Sequence, residues 1–210
     1  MGLAVFTGSL AEMIASNDLD GAEYVRENLD DVNAVLRKHG LPEHKEPESI
    51  PPQNNRAPIT SFSYSCLHYL RRAYAHSVKN PGKPIPALSE NDDASDDPVI
   101  DEIASPKHHL LWYSDSEGFY VPIDFESAIA DDELLGGFLG SSQRLFQELI
   151  MVAPALGITL DGQSLSDAEA DRIEIVIDDE EPGYIENMVW ILLFESARLS
   201  IEQGTAIEFC

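Results

Sequence analysis

Apolar residues recur along this chain at helical spacing in its longer segments and as short β-favouring runs near its centre and its end. Val25, Leu29, Val32 and Leu36 step by four, three and four. They therefore share one helical stripe, and Glu23, Glu27, Asp30 and Asp31 fall mostly outside it. Asp20 suits the start of that helix, Arg37 and Lys38 suit the negative end of its dipole, and Gly40 with Pro42 stops it. A short helix over residues 9–16 precedes it. A third, beginning at Ser61 or Ser63, turns Leu67, Leu70, Ala73 and Tyr74 inward. Later helices are expected from Ser141 or Ser142, with Leu145, Leu149 and Val152 inward, and over 165–175, where Ser166 caps and Glu169 completes a capping box. A further short helix is expected over 127–135, and a short strand over 156–160. The run MVWILLF inside residues 184–204 is too apolar for a surface helix and predicts one that crosses the core and ends at Gly204.

Between these lies Lys107 to Phe125, KHHLLWYSDSEGFYVPIDF. Leu110 to Tyr113 run into turn formers, and Phe119 to Phe125 resume an apolar, β-favouring run, so the stretch reads as a strand, a turn and a second strand. Pro122 lacks an amide hydrogen and calls for a bulge or an edge there. The final TAIEF suits a strand added to this hairpin. The expected fold is α+β: a small antiparallel sheet built on the central hairpin (107–125) plus the C-terminal strand, covered by four or five helices. A length of 210 residues fits a single globular domain over 1–210. Proline-rich 41–58 reads as an extended connection, and acidic ENDDASDDPVIDE as a mobile loop near 89–102.

Charge changes the picture most. The chain has 38 acidic and 13 basic residues, a formal charge of -25. Such a surface repels phosphate backbones and anionic lipid, and it steers a basic partner toward itself. No apolar run is long enough to span a bilayer and no basic n-region marks a signal peptide, which gives a cytoplasmic expectation. Cys66 and Cys210 supply neither a disulfide framework nor metal-ligand spacing. Solubility and a saline habitat also select for acidity, so the charge alone does not name a function.

Catalytic and ligand motifs are weak. Adjacent His108 and His109 would point to opposite faces of a strand, and no HxH, HxxxH or CxxC spacing occurs. Neither serine pair sits in GxSxG, and the acidic loop lacks the glycine of an EF-hand. Asp115 and Glu117 read as part of a turn, because Asp, Ser and Gly are what a tight turn demands. The glycines at 136, 137 and 140 precede a helix with Arg144 in its first turn, but Ser141 stands where a phosphate-binding loop needs lysine. Arg71 and Arg72 are expected to pair with the chain's own carboxylates.

These observations favour a non-enzymatic, acidic protein-binding module without cofactor or metal. An immunity- or antitoxin-like inhibitor of a basic protein such as a nuclease fits it. Asp92, Asp93, Asp96, Asp97, Asp178, Asp179, Glu180 and Glu181 would supply the steering field. The alternative is an enzyme or small-anion binder with a pocket between the hairpin and the Gly-rich loop 136–143, lined by His109, Asp115, Ser141 and Arg144. A subunit that buries apolar surface in a homodimer is the third arrangement.

Overall fold

A computed structural model describes residues 2–52, 54–89, 92–114 and 116–210. The element order is β1 (Gly2–Thr7), α1 (Ser9–Ala15), α2 (Leu19–Lys38), β2 (Ser61–Ser63), α3 (Tyr64–Lys79), α4 (Pro98–Ile103), α5 (His109–Trp112), β3 (Gly118–Val121), β4 (Ile129–Ala130), β5 (Phe138–Ser141), α6 (Ser142–Val152), α7 (Asp167–Asp178), α8 (Tyr184–Gln203) and β6 (Ile207–Phe209). The fold is α+β, with a six-stranded sheet in the order β2-β1-β6-β3-β5-β4. Among the described residues no helix is long and apolar enough to cross a membrane.

Alternation along the strands divides the core in two. Leu3, Val5, Tyr120, Ile207 and Phe209 point to one face, where α3, α6 and α8 pack. Phe119, Val121 and Leu139 point to the other and meet Val25, Leu29, Val32 and Leu36 of α2. The apolar middle of α8 runs through the larger core: Val189 to Phe194 are all buried, and Trp190 Nε1 donates to Leu149 O at 2.8 Å. Gly204, at φ 72, ends this helix as expected. The C-terminal strand β6 pairs antiparallel with both β3 and β1.

Several expectations are corrected. The first arm of the central hairpin is the short helix α5, because Glu148 from α6 accepts the amides of His109 and Leu110, both at 2.7 Å, and so caps a helical turn there. Strand β3 then takes β6 and β5 as neighbours. Its pairing with β5 is parallel, so the sheet is mixed and not antiparallel throughout. β3 ends at Val121, one residue before Pro122, which could not continue the ladder. The expected Gly-rich loop 136–143 contains strand β5, and the helix expected over 127–135 is replaced by β4 and a 3-10 turn at Leu135–Gly137. Finally, the acidic stretch near 89–102 carries a 3-10 turn at Ala94–Asp96 and helix α4. Ala94 and Val99 bury their side chains and anchor it to α3; Glu90 and Asn91 lie outside the described residues.

Candidate functional site

Most of the basic side chains are consumed internally. At least ten of the thirteen form ion pairs with the chain's own carboxylates, among them Arg26 with Glu48, Lys38 with Asp131, Arg144 with Asp124, and Arg56 and Arg198 with Glu195. Arg71 donates from a buried position to the carbonyls of Leu110 and Tyr113. Cations are thus withdrawn into pairs, and the carboxylates in excess are left on the surface.

Two helices order these carboxylates in rows. On α2, Asp20, Glu23, Glu27, Asp30 and Asp31 are all exposed. On α7, Asp167, Asp171, Glu174 and Asp178 step by four, three and four, so they share one face, and all are exposed. At 1.5 Å of rise per residue each row extends about 16 Å, a mean step of about 4 Å on α2 and about 5.5 Å on α7, somewhat wider than the roughly 3.4 Å per phosphate along one DNA strand. The two helices thus hold exposed carboxylates in regular rows. The α2 row overlies one face of the sheet; α7 packs on α8 at the other.

The acidic clusters expected as partner-binding divide into two kinds. Asp97 serves the fold: its carboxylate caps α4 through the Val99 amide at 3.0 Å and meets Arg72 at 2.7 Å and His76 at 2.9 Å. Burial would raise its carboxyl, but the bonds from His76, the Val99 amide and Arg72 outweigh it and hold it at about 2. Asp93 caps the 3-10 turn through Ser95, and Asp92 accepts from the Ser89 amide at 3.2 Å; both, with Asp96, remain exposed. Asp178, Asp179, Glu180 and Glu181 are exposed at the end of α7. Although about 80 residues apart in sequence, the two clusters flank one extended strap, Pro84 to Leu88. Asp92, Asp93 and Asp96 line a hollow on one side of it, and Glu180 with Glu181 lines a groove of about 640 Å³ on the other, with Arg72, Ala87 and Leu88 common to both. Arg72 holds the strap from below by donating to Pro86 O at 2.7 Å.

The alternative set is drawn together but not around an open pocket. Ser141 N donates to His109 Nδ1 at 3.0 Å, Ser141 Oγ accepts the Arg144 amide at 3.3 Å, and Arg144 pairs with Asp124 at 2.6 Å. His109 and Ser141 are fully buried, so an incoming anion does not reach them. Burial pushes His109 down to about 4, which keeps it neutral. Asp115 lies outside the described residues. The glycines serve the backbone: a Cβ on Gly140 would stand 2.1 Å from the Tyr120 ring, and one on Gly136, at φ 69, would stand 2.0 Å from the Glu117 carbonyl oxygen. Sequence reasoning misses Glu148, whose carboxyl is pushed up to about 8 by burial against the pull of the two amides it caps. Among the described residues no group of three or more His, Cys, Asp or Glu side chains is placed to hold a metal ion.

A protein-family model described as "Putative DNA-mimic protein" matches residues 1–209. The chain belongs to that family. No curated protein and no solved structure matches it.

Proposed function

We propose that this chain is a non-catalytic DNA mimic that occupies the DNA-binding surface of a basic protein. The observation that carries the reading is the pair of exposed, regularly stepped carboxylate rows on α2 and α7, in which only Glu23 and Asp167 meet a cation among the described residues, Arg26 at 3.8 Å and Arg56 at 3.5 Å. A DNA-binding surface is built to meet regularly spaced phosphates with Lys and Arg. Rigid helices present such charges without the entropy of ordering a loop. The family match supports the same reading.

The finer form of the proposal is inhibition: a nuclease or other DNA-processing protein loses access to its substrate while the mimic is bound. Steering by a strongly negative surface makes such association fast and strongly salt-dependent. The test is capture of partners from the native cell extract on the immobilised chain, with the wild type beside a variant carrying Asp171→Lys, Glu174→Lys and Asp178→Lys and a second carrying Glu23→Lys, Glu27→Lys and Asp30→Lys. A DNA-binding protein retained by the wild type, released by salt and lost from at least one variant supports the reading. Equal retention on all three chains overturns it.

A further inference from the structure

Beside the α2 row, a cleft of about 470 Å³ opens between α1, α2 and the β1–β6 pair. Its walls are apolar and aromatic: Phe6 from β1, Met13 from α1 and Tyr24 from α2. Phe6 and Tyr24 are 39% and 52% exposed, unlike the aromatic residues of the core. Its polar groups are unusual. Glu208 is only 8% exposed, lies opposite Phe6 in the β1–β6 ladder, and has no basic partner among the described residues. Ser9 is 7% exposed, and its hydroxyl is a buried group without a hydrogen-bond partner. Glu12 adds a second carboxylate to the lining, which contains no Lys, Arg or His. Burial raises the Glu208 carboxyl, and Glu46 nearby raises it further; the Ser9 hydroxyl beside it moderates the shift but meets it at no hydrogen-bonding geometry.

A buried carboxylate without a cation and a buried hydroxyl without a partner are both costly unless something supplies what they lack. We infer that this cleft receives an arginine side chain of the basic partner, with Glu208 and Ser9 taking the guanidinium and Phe6 and Tyr24 flanking it. The inference rests on the DNA-mimic reading and adds an anchor to it. Arginine fits better than lysine because its planar fork matches a carboxylate with two bonds and stacks on aromatic faces, whereas an ammonium is compact and strongly hydrated. It also fits the partner's habit. An arginine that reads DNA seeks two acceptors side by side, such as those of guanine, and the two oxygens of Glu208 offer such a pair. Tyr24 lies between Glu23 and Glu27, so the cleft is continuous with the carboxylate row. Phosphate-like charges and a base-like acceptor pair are then presented side by side.

The test uses small probes and needs no partner: a titration of the isotopically labelled chain with n-butylguanidinium, n-butylammonium and neutral n-butylurea, followed by amide shifts at Phe6, Tyr24 and Glu208. The expected result is saturable shifts with the guanidinium and a roughly tenfold loss of affinity in Glu208→Gln, the worth of one charged hydrogen bond. Tyr24→Ala, at an exposed position, should weaken the probe as well. Absence of saturable shifts at the cleft, equal response to the urea or the ammonium, or unchanged affinity in Glu208→Gln overturns the inference. If the guanidinium stays out while a partner displaceable by duplex DNA still binds, the anchor falls and the DNA-mimic reading stands. If the guanidinium enters but no captured partner is displaced by duplex, the DNA-mimic reading falls and with it the assignment of the guest.

Discussion

Glu180 occupies a backbone position that glycine would fill more comfortably. Helix α7 ends in a Schellman turn, with Glu181 N donating to Val176 O at 3.0 Å and Glu180 N to Ile177 O at 3.2 Å. That turn puts Glu180 in the left-handed region at φ 49. A residue with a Cβ there costs about 1 to 2 kcal/mol, and glycine gives back about 0.5 to 1 kcal/mol of that in chain entropy. Glu180→Gly should therefore stabilise the fold by about 1 kcal/mol, or raise the melting temperature by about 2 to 4 °C in a chain of this length. Glu180→Ala removes the same charge but keeps the strained backbone, so its melting temperature should stay within about 1 °C of the wild type. Four consecutive acidic residues at the negative end of a helix dipole add a smaller, salt-screened penalty of the same sign. If the acidic side chain is kept for binding, both variants weaken retention of the partner while only one stabilises the fold. Thermal melts followed by circular dichroism decide it. A Glu180→Gly variant that melts at or below the wild type, or a Glu180→Ala variant as stable as Glu180→Gly, refutes the reasoning.

Three further outcomes are expected. Glu148 titrates near 4.5 when exposed and at about 8 in the fold, so the folded chain holds an extra proton between those values and loses stability as pH rises through them; urea midpoints across that range should fall in the wild type and fall less in Glu148→Gln, and parallel slopes would contradict this. Asp97 works in the opposite sense: its contribution is full above about 3.8 and is lost as pH falls through about 2. Removing its buried partner in Arg72→Met should cost about 3 kcal/mol at neutral pH, and a loss below about 1 kcal/mol in denaturant unfolding would show that the pair is replaceable. Gly140→Ala forces a methyl into the buried Tyr120 ring and should destabilise by about 3 kcal/mol; an unchanged melt would mean that the ring moves freely.

Helices α1, α2, α3 and α6 are legible because their apolar positions keep a helical period, α7 because Ser166 and Glu169 form a capping box, α8 because of its long apolar run, and the C-terminal strand because TAIEF alternates. The stretch 107–113 is not. Leu110 to Tyr113 form a short apolar run that periodicity cannot assign, and what makes it a helix is Glu148, 38 residues further on. Strand β1 is hidden in the same way, since its pairing partners are β2 and β6 and nothing local marks it. Of the site, the acidic clusters are plain in the composition, but which carboxylates stay free is not. Asp97 is bound to the fold by Arg72, 25 positions earlier, whereas its neighbour Asp96 is exposed. The α7 row is readable from its spacing once the helix is known. The cleft beside α2 is assembled from three separate parts of the chain and has no sequence signature.

The most direct test of DNA mimicry is competition for the captured partner. With that partner bound to the immobilised chain, duplex DNA and polyglutamate are added at equal charge concentration and the released protein is measured. Mimicry predicts that duplex releases the partner at far lower charge concentration than polyglutamate does, because both ligands occupy one surface shaped for regularly spaced phosphates. Release by the two polyanions in parallel, or a ternary complex of chain, partner and DNA, would contradict it.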